Sequence, residues 1–236
     1  MEKYRPIHLQ EIICSSQDAK ISKQITKLLS AGVIRKIAPR VYSSNLDEPI
    51  EGIIRRNLFQ ILGTIYPGTM LSHRSAFEFQ PTKTGQLFIT SSYTKKVKLP
   101  GITLQFLEGA SPIEGDNKFF GALYVSQKAR AFLENLQASK KIGSASKCLS
   151  LPEIEERLEQ IIRVNGEEEI NKLRDQARVI AEQLNLTGGF WDYALAFNLN
   201  SAGYFIVGSF VVVWTVALLL WKYGKIEERW HNKAHE

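Results

Sequence analysis

Residues 202–221 read AGYFIVGSFVVVWTVALLLW, and these twenty residues contain no charged side chain. Eleven of them are Leu, Ile, Val or Phe. A helix of about 20 apolar residues matches a bilayer core roughly 30 Å thick, and apolar side chains would cover every side of this one. Tyr204 and Trp221 lie near its two ends, where amphipathic rings favour the membrane interface. The stretch therefore predicts a single transmembrane helix over residues 202–221.

The charges that flank this stretch predict one orientation, and the N-terminal residues predict the opposite one. No Lys or Arg occurs in the twenty residues before the stretch, whereas four follow it: Lys222, Lys225, Arg229 and Lys233. The positive-inside rule places the tail after residue 221 in the cytoplasm. The N-terminal residues, however, lack the apolar core of a signal peptide that would export the preceding part. We therefore expect a single-pass protein of the bacterial inner membrane with its soluble part in the cytoplasm.

The composition is that of a folded protein whose N-terminal part is basic. The 236 residues are 44% hydrophobic and 23% charged, which is enough to form a core, and the formal net charge is +6. The first 150 residues are net basic, and residues 151–201 are net acidic. A basic surface suits nucleic acid or lipid headgroups, although an ordinary solvated surface has the same composition. Cys14 and Cys148 lack a metal-ligand spacing and are expected to be reduced structural thiols.

Residues 1–45 have the outline of a winged-helix DNA-binding domain. A first short helix is predicted from Pro6 to Ile13. A second helix is predicted over residues 20–32, KISKQITKLLSAG, because its apolar residues share one face at helical spacing: Ile21, Ile25, Leu28 and Leu29. Residues 33–45, VIRKIAPRVYSSN, follow as two short strands that form a hairpin. Two helices followed by a basic hairpin are the expected order of elements.

The basic side chains of this region are the candidate DNA-binding residues. Those of the second helix would lie along a DNA groove, and those of the hairpin would contact phosphates. The set comprises Lys20, Lys23, Gln24, Lys27, Arg35, Lys36 and Arg40. A small helix–hairpin packing unit with a solvated basic face has the same sequence pattern, and that alternative stays open.

Residues 46–148 are predicted to form a small α+β domain. A helix over residues 50–65 ends at the turn Tyr66-Pro67-Gly68. Alternating apolar residues then predict strands at QLFIT, VKL, ITLQFL and residues 122–125, with Pro100-Gly101 as a tight turn. Ser126 is expected to cap a helix that ends at Leu136, and residues 137–147 read as a loop.

Residues 149–186 are predicted to be helical, and residues 187–236 to contain the transmembrane helix and a basic tail. Ser150 and Glu153 have the spacing of a capping box, which begins a helix that ends near Val164. A second helix follows up to Leu184, and its first turn is acidic.

The sequence contains no motif for catalysis, for a cofactor or for a metal. It lacks the phosphate-binding G-x-x-x-x-G-K-[ST], the H-E-x-x-H motif and the Cys/His spacing of zinc sites. His231 and His235 are four residues apart but have no third ligand, and His73 reads as a residue at the edge of a core. We therefore predict a protein that is not an enzyme and that binds no cofactor or metal.

Residues 1 to about 180 resemble the region that precedes the catalytic domain in some bacterial Fic-family proteins, and AbiEi-like antitoxins of type IV toxin–antitoxin systems. The likeness lies in five stretches: ITKLLSAGVIRKIAPRVYSSN, IIRRNLFQILGTIYPGTMLSHRSAFEF, VKLPGITLQFLEG, ARAFLENLQASK and EIEERLEQIIRVNGEE. The resemblance implies a winged-helix module followed by an α+β domain, used in autoregulation or antitoxin action. The Fic signature H-P-F-x-x-G-N-G-R is missing, so its nucleotidyl transfer is not implied.

The chain from about Leu184 onward resembles the final transmembrane helix and tail of nickel/cobalt permeases. The stretches GGFWD, GYFIVG and KIEERW carry this likeness. The metal-binding H-x-x-x-x-D-H of such permeases is absent, and one span cannot enclose a translocation path. The two resemblances meet between Arg174 and Gly188, which indicates two parts of different origin.

Three functions follow from these observations. The first hypothesis is a non-enzymatic DNA-binding transcriptional regulator tethered to the membrane, with DNA and membrane lipid as partners. An antitoxin that contacts a toxin partner is a variant of it. The alternative is a fragment or fusion of a nickel/cobalt transmembrane transporter, and nickel or cobalt is a partner only under that alternative.

Overall fold

A computed structural model of the chain describes residues 6–15, 17–136, 146–186 and 213–214. These residues form seven α-helices and two β-sheets, which confirms the predicted α+β class. Residues up to Leu184 belong to one compact unit, and residues from Asn185 onward belong to a second. All elements described below lie in the first unit.

The N-terminal sheet has three antiparallel strands in the order β1-β3-β2, with one helix between the first two strands of the sequence. The elements are β1 Ile12–Cys14, α1 Ala19–Ser30, β2 Arg35–Ala38 and β3 Val41–Ser43. The helix predicted from Pro6 to Ile13 is wrong, because only Ile7–Leu9 form a 3-10 turn before β1. Ile12 and Ile13 enter two different core clusters, which is the side-chain alternation of a strand.

The helix α1 forms where the apolar spacing predicts it. Asp18 begins the helix, since its carboxylate accepts a hydrogen bond from the Lys20 backbone N–H at 2.8 Å. Its apolar face packs on a small cluster formed by Ile13, Ile25 and Ile34, with Ile7, Ile21, Leu28 and Tyr42 at the periphery. Gly32 takes a φ of 67° just after the helix, a conformation that glycine adopts without steric cost.

The predicted helix over residues 50–65 is two helices, α2 Ile50–Arg56 and α3 Leu58–Ile65. They are separated at Asn57, whose side-chain amide donates to the Ile53 carbonyl at 2.9 Å and to a Glu11 carboxylate oxygen at 2.8 Å. The Asn57 backbone N–H also donates to the Ile53 carbonyl at 3.2 Å, and the Asn57 carbonyl accepts from the Ile61 N–H at 3.0 Å, so the side-chain bonds add to the backbone ones at this junction.

A six-stranded mixed sheet follows, with strands in the order β6-β7-β5-β4-β9-β8. Its strands are β4 Met70–Leu71, β5 Gln86–Ser91, β6 Lys95–Leu99, β7 Ile102–Glu108, β8 Asn117–Phe120 and β9 Leu123–Val125. A short helix, α4 Ser75–Glu78, lies between β4 and β5 in the sequence. Leu99 pairs with Ile102 across the two-residue turn Pro100-Gly101, as the sequence predicts.

Three further helices complete the described chain: α5 Lys128–Leu136, α6 Leu151–Asn165 and α7 Glu167–Gln183. The predicted capping box is confirmed, since Glu153 accepts hydrogen bonds from the Ser150 backbone N–H and hydroxyl at 2.7 Å each. Gly166, with a φ of 83°, separates α6 from α7. The helix α7 packs on both α5 and α6.

The main core joins the N-terminal sheet to the six-stranded sheet. Ile37 and Val41 of the hairpin share one buried cluster with Ile53 of α2 and with Leu104 and Phe106 of β7. A continuous core of this kind fixes the hairpin relative to the larger sheet. The domain boundaries drawn from sequence stay predictions.

The predicted localisation, a single-pass protein of the inner membrane, is wrong by this structure. A bilayer-crossing helix needs about 20 predominantly apolar residues. The longest described helix, α7, has 17 residues and carries charges along its length. Among the described residues, no helix combines the length and apolar character needed to cross a membrane. The predicted span at 202–221 lies outside the described residues, except for residues 213 and 214.

Candidate nucleic-acid interface

One face of α1 is exposed and basic. The side chains on it are those predicted from sequence: Lys20, Lys23, Gln24 and Lys27. At 100° per residue they fall within an arc of roughly 100° beside the buried apolar face. The sequence of α1, AKISKQITKLLS, contains no Asp or Glu, and no ion pair among the described residues includes these three lysines. The face therefore presents three lysines that form no ion pair with a described residue, and the acidic side chain next to it in the sequence is Asp18 at the start of the helix.

Arg35, the first basic residue of the hairpin, is held by the chain itself. Its Nε donates to the Asn45 carbonyl at 2.9 Å, and a terminal nitrogen donates to the Glu48 carbonyl. These bonds fix the loop between β3 and α2. Lys36, by contrast, is exposed and lies opposite Tyr42 in the pairing of β2 with β3. Of these two predicted phosphate ligands, Lys36 is the more available.

Arg40 occupies the tip of the hairpin in a left-handed conformation. Ala38 pairs with Val41, so Pro39 and Arg40 form the connecting turn, and Arg40 has a φ of 66°. Such a backbone costs a residue with a side chain about 1 kcal/mol. Two bonds to Ser15 stabilise it: the Arg40 carbonyl accepts from the Ser15 backbone N–H at 2.8 Å, and its Nε donates to Ser15 Oγ at 3.2 Å. The hairpin therefore presents an exposed, oriented guanidinium.

A buried ionic cluster under α5 is absent from the sequence predictions. The Arg130 side chain is buried, and it pairs with Asp116 Oδ2 at 2.6 Å and Glu134 Oε1 at 2.9 Å. Its two terminal nitrogens also donate to the carbonyls of Ala110 and Ser111. The spacing of Arg130 and Glu134, four residues apart on one helix, is the signal that could have revealed the pair. The sequence does not reveal that it is buried.

His73 lies next to this cluster. Its backbone N–H donates to Glu134 Oε2 at 3.1 Å, and its Nδ1 lies 3.0 Å from the Ser72 hydroxyl oxygen. Burial, helped by the charges of Lys147 and Arg130, lowers the pKa of His73 to about 3. The ring is therefore neutral at physiological pH. The Ser126 hydroxyl, predicted to cap α5, instead donates to Glu134 Oε2 at 2.9 Å, and its oxygen lies 3.3 Å from the Leu71 carbonyl oxygen.

Glu134 is held in place by these donors, while burial raises the pKa of its carboxyl group. Its oxygens accept from Arg130, from the His73 backbone and from the Ser126 hydroxyl. Every one of these groups is turned toward the protein interior, where it holds β4, β9 and α5 together. The cluster is best described as part of the core.

Metal ligands do not converge in the part of the chain that the structure describes. No three His, Cys, Asp or Glu side chains there are grouped as a metal ion would need. His231 and His235 lie outside the described residues. Cys14 and Cys148 form no disulfide, and burial raises the pKa of the Cys14 thiol to about 11, so this thiol stays protonated.

An open polar cavity of about 660 Å³ lies beside α4. Arg55, Arg74 and Lys83 contribute positive charges to its lining, and Glu78 and Glu153 contribute negative ones. Arg74 is already paired with both carboxylates, at 3.1 Å and 2.9 Å. The lining is thus largely self-neutralised, in contrast to the face of α1.

A short segment of the chain is similar to nickel transporters. It is 46% identical over 52 residues to the nickel transporter NicT of Mycobacterium tuberculosis, which is 22% of this chain and 14% of that protein. It is 34% identical over 53 residues to the nickel transporter NixA of Staphylococcus aureus, again 22% of this chain and 16% of the relative. The chain therefore matches about one-seventh of the length of these curated relatives.

These matches support the predicted likeness of the C-terminal part to a nickel permease. No protein-family model matches the chain, and no solved structure matches it significantly. The predicted resemblance of residues 1 to about 180 to Fic-family N-terminal regions and AbiEi-like antitoxins receives no support from these comparisons.

Proposed function

We propose that this chain joins a nucleic-acid-binding N-terminal part to a C-terminal segment related to nickel transporters. The comparisons support the second element, and they contain nothing that supports the first. The proposal of nucleic-acid binding rests on geometry alone. It assigns the chain no catalytic role.

The observation that carries nucleic-acid binding is the face of α1, where Lys20, Lys23 and Lys27 project without any acidic neighbour on the helix. Cations on one helix face can neutralise phosphates on both sides of a groove, and each such contact releases counterions. Lys36 and Arg40 add two exposed cations on the adjoining hairpin. A helix followed by a basic hairpin supports the finer proposal of a winged helix.

The main departure from a winged helix is the missing first helix. A 3-10 turn of three residues, Ile7–Leu9, stands at its predicted position. In its place, β1 and the Ile13 side chain support the inner face of α1. In a helix-turn-helix, the preceding helix positions the helix that contacts DNA. The proposal requires that the three-stranded sheet positions α1 instead.

Charge reversal tests this function in the full-length chain. The double variant Lys20→Glu/Lys23→Glu should lose most of its binding to a mixed-sequence DNA duplex at low salt, since two attractive contacts become repulsive. The matched control is Lys172→Glu/Arg178→Glu, which reverses two exposed cations of α7 and changes the net charge by the same amount; it should bind like the unchanged chain. Equal binding by Lys20→Glu/Lys23→Glu and the unchanged chain would refute the proposal.

The second candidate function is that of a fragment or fusion of a nickel transporter. The similarity to NicT and NixA favours it over DNA binding. If the C-terminal segment takes part in nickel uptake, cells expressing the full chain should accumulate more radioactive nickel than cells expressing a chain that ends at Leu184. Uptake that is unchanged when the gene is deleted would exclude this function.

The regulatory purpose of DNA binding is part of the same proposal. A transcriptional regulator would repress or activate a reporter gene that is driven by the promoter of the regulator's gene. An antitoxin would instead restore the growth of cells that express a neighbouring toxin gene. Variants of Lys20 and Lys23 should abolish the first effect and spare an antitoxin effect that depends on protein contact.

A further inference from the structure

An aromatic cluster lies on β7, the strand next to the edge strand β6 of the larger sheet. Tyr66, which follows α3, and Tyr93, in the turn between β5 and β6, both pack on Phe106 of β7. The ring centroids of Tyr66 and Phe106 are 4.8 Å apart, and those of Tyr93 and Phe106 are 5.8 Å apart. Phe106 is buried, whereas Tyr93 is 42% exposed. The buried ring of Phe106 thus packs against both tyrosines, and Tyr93 is the one that faces solvent.

Tyr93 is held in position although it is exposed. The hydroxyl of Ser91 donates to the Tyr93 carbonyl at 2.6 Å and accepts from the Tyr93 backbone N–H at 3.3 Å. The Ser91 bonds hold the Tyr93 backbone, and its ring stacks on that of Phe106 with an interplanar angle of 29°. A ring restrained by such stacking loses less conformational entropy when it binds a ligand.

Two cations adjoin the cluster. Arg40 directly precedes Val41, and Val41 belongs to the buried cluster on which Tyr66 packs, so the hairpin tip and Tyr66 adjoin the same core. Burial and the neighbouring Tyr93 raise the pKa of Tyr66, while the charge of Arg40 lowers it. The Tyr66 hydroxyl therefore stays protonated at neutral pH and remains a hydrogen-bond donor. Lys95 of β6 is paired directly with Phe106, so its side chain leaves the sheet on the same face.

Alternation along β6 separates its lysines. Lys95 shares the face of the aromatic cluster, whereas Lys96 and Lys98 leave the strand on the opposite face. All three are exposed, and none takes part in an ion pair among the described residues. Lysines on an edge strand also discourage edge-to-edge association, which accounts for their presence on both faces. Protection of the edge strand does not account for Tyr66 and Tyr93 beside these lysines.

We propose that Arg40, Tyr66, Tyr93 and Lys95 form a second contact site for the phosphate backbone of DNA. The site offers two cations and two hydroxyl donors, which are the groups that contact phosphate oxygens in protein–DNA complexes. Arg40 at the hairpin tip belongs to both sites, so the bound backbone would pass from α1 over the hairpin to β6. This inference rests on the proposed nucleic-acid binding and extends its footprint into the six-stranded sheet.

Salt-dependent binding of the full-length chain to a fluorescein-labelled mixed-sequence duplex of about 40 base pairs tests the site. Lys95→Gln should lower the slope of log Kobs against log salt by about 1, because one phosphate contact is lost. Lys96→Gln, the adjacent residue on the opposite face, is the matched control and should leave the slope unchanged.

The tyrosine hydroxyls are tested separately by the double variant Tyr66→Phe/Tyr93→Phe, which keeps the rings. It should weaken binding about threefold to tenfold at constant salt, since two hydrogen-bond donors are lost. Thermal unfolding establishes that every variant is folded.

The outcomes separate this site from the one on α1. If Lys95→Gln and the tyrosine variant bind like the unchanged chain while Lys20→Glu/Lys23→Glu does not, the second site is refuted and the first stands. Equal loss of slope in Lys95→Gln and Lys96→Gln would also refute it, because the effect would then be one of general charge. Failure of the unchanged chain to bind DNA would overturn both proposals.

Discussion

Glu11 accepts a hydrogen bond from Asn57 Nδ2 at 2.8 Å, and this bond ties the start of β1 to the junction of α2 and α3. The same carboxylate pairs with Arg56 and accepts from Asn45 Nδ2 at 3.3 Å. The Arg56 guanidinium in particular lowers the pKa of Glu11 to about 2, against the opposing effect of burial. The charged carboxylate therefore links the residue before β1 to α2 and to the loop that follows β3.

The first prediction concerns acid stability. A carboxyl group whose pKa is lower in the folded state contributes stability above its unfolded pKa, and this contribution is lost as the pH falls toward the folded value. Urea unfolding should therefore show a falling free energy of unfolding between about pH 5 and pH 2. In Glu11→Gln this part of the decline should be smaller. An identical pH profile for the variant and the unchanged chain would show that Glu11 has no such role.

The second prediction concerns the buried cation of α5. Arg130→Met leaves the carboxylates of Asp116 and Glu134 buried without their partner, and it should lower the free energy of unfolding by about 3–5 kcal/mol. Lys128→Met, an exposed change two residues earlier on the same helix, should stay within about 0.5 kcal/mol. Denaturant titration followed by circular dichroism measures both. Similar losses for the two variants would contradict a structural role for the cluster.

The third prediction compares two helical glycines. Gly52→Ala in α2 should raise the free energy of unfolding by up to about 1 kcal/mol, because a Cβ there meets no atom within 4 Å. Gly63→Ala in α3 should lower it by about 1–3 kcal/mol, because the new Cβ would overlap the Phe120 carbonyl oxygen of β8. Thermal unfolding of both variants checks the sign of each change. A stabilised Gly63→Ala would mean that α3 and β8 are farther apart than described.

The fourth prediction separates stability from binding at the hairpin tip. In Arg40→Gly, the relief of left-handed strain offsets the extra entropy of a glycine in the unfolded chain, and the exposed bond from Arg40 Nε to Ser15 Oγ is lost, so the free energy of unfolding should fall by about 1 kcal/mol or less. The salt slope of DNA binding should fall by about 1, because the guanidinium is lost. Arg163→Gln on α6 serves as the control with an unchanged slope. Retention of the full slope in Arg40→Gly would exclude the hairpin tip from the interface.

The periodicity of apolar residues predicted most of the helices and strands, because each of these elements buries only one of its faces. Ile21, Ile25 and Leu28 mark the inner face of α1, and alternation in residues 102–106 marks β7. The strand β1 was missed because Ile12 and Ile13 are both buried, one in each core cluster, so the segment shows no polar face. A continuous apolar run of this kind does not distinguish a helix from a strand.

The site was less predictable than the fold, because charge patterns do not show which cations are already bound. Arg35 looks equivalent to Lys36 in the sequence, yet its guanidinium is engaged by the carbonyls of Asn45 and Glu48. Tyr66 and Tyr93 are 27 positions apart in the sequence, and only packing on Phe106 brings them together. No local sequence pattern predicts such a contact between residues that are distant in the sequence.

The salt dependence of DNA binding by the unchanged full-length chain tests the central claim most directly. Five exposed cations, Lys20, Lys23, Lys27, Lys36 and Arg40, predict a slope of log Kobs against log salt of about −4.5, at roughly 0.9 per phosphate contact. A measured slope near that value supports a nucleic-acid interface on α1 and the hairpin. A slope near zero, or no binding at about 50 mM salt, would contradict it.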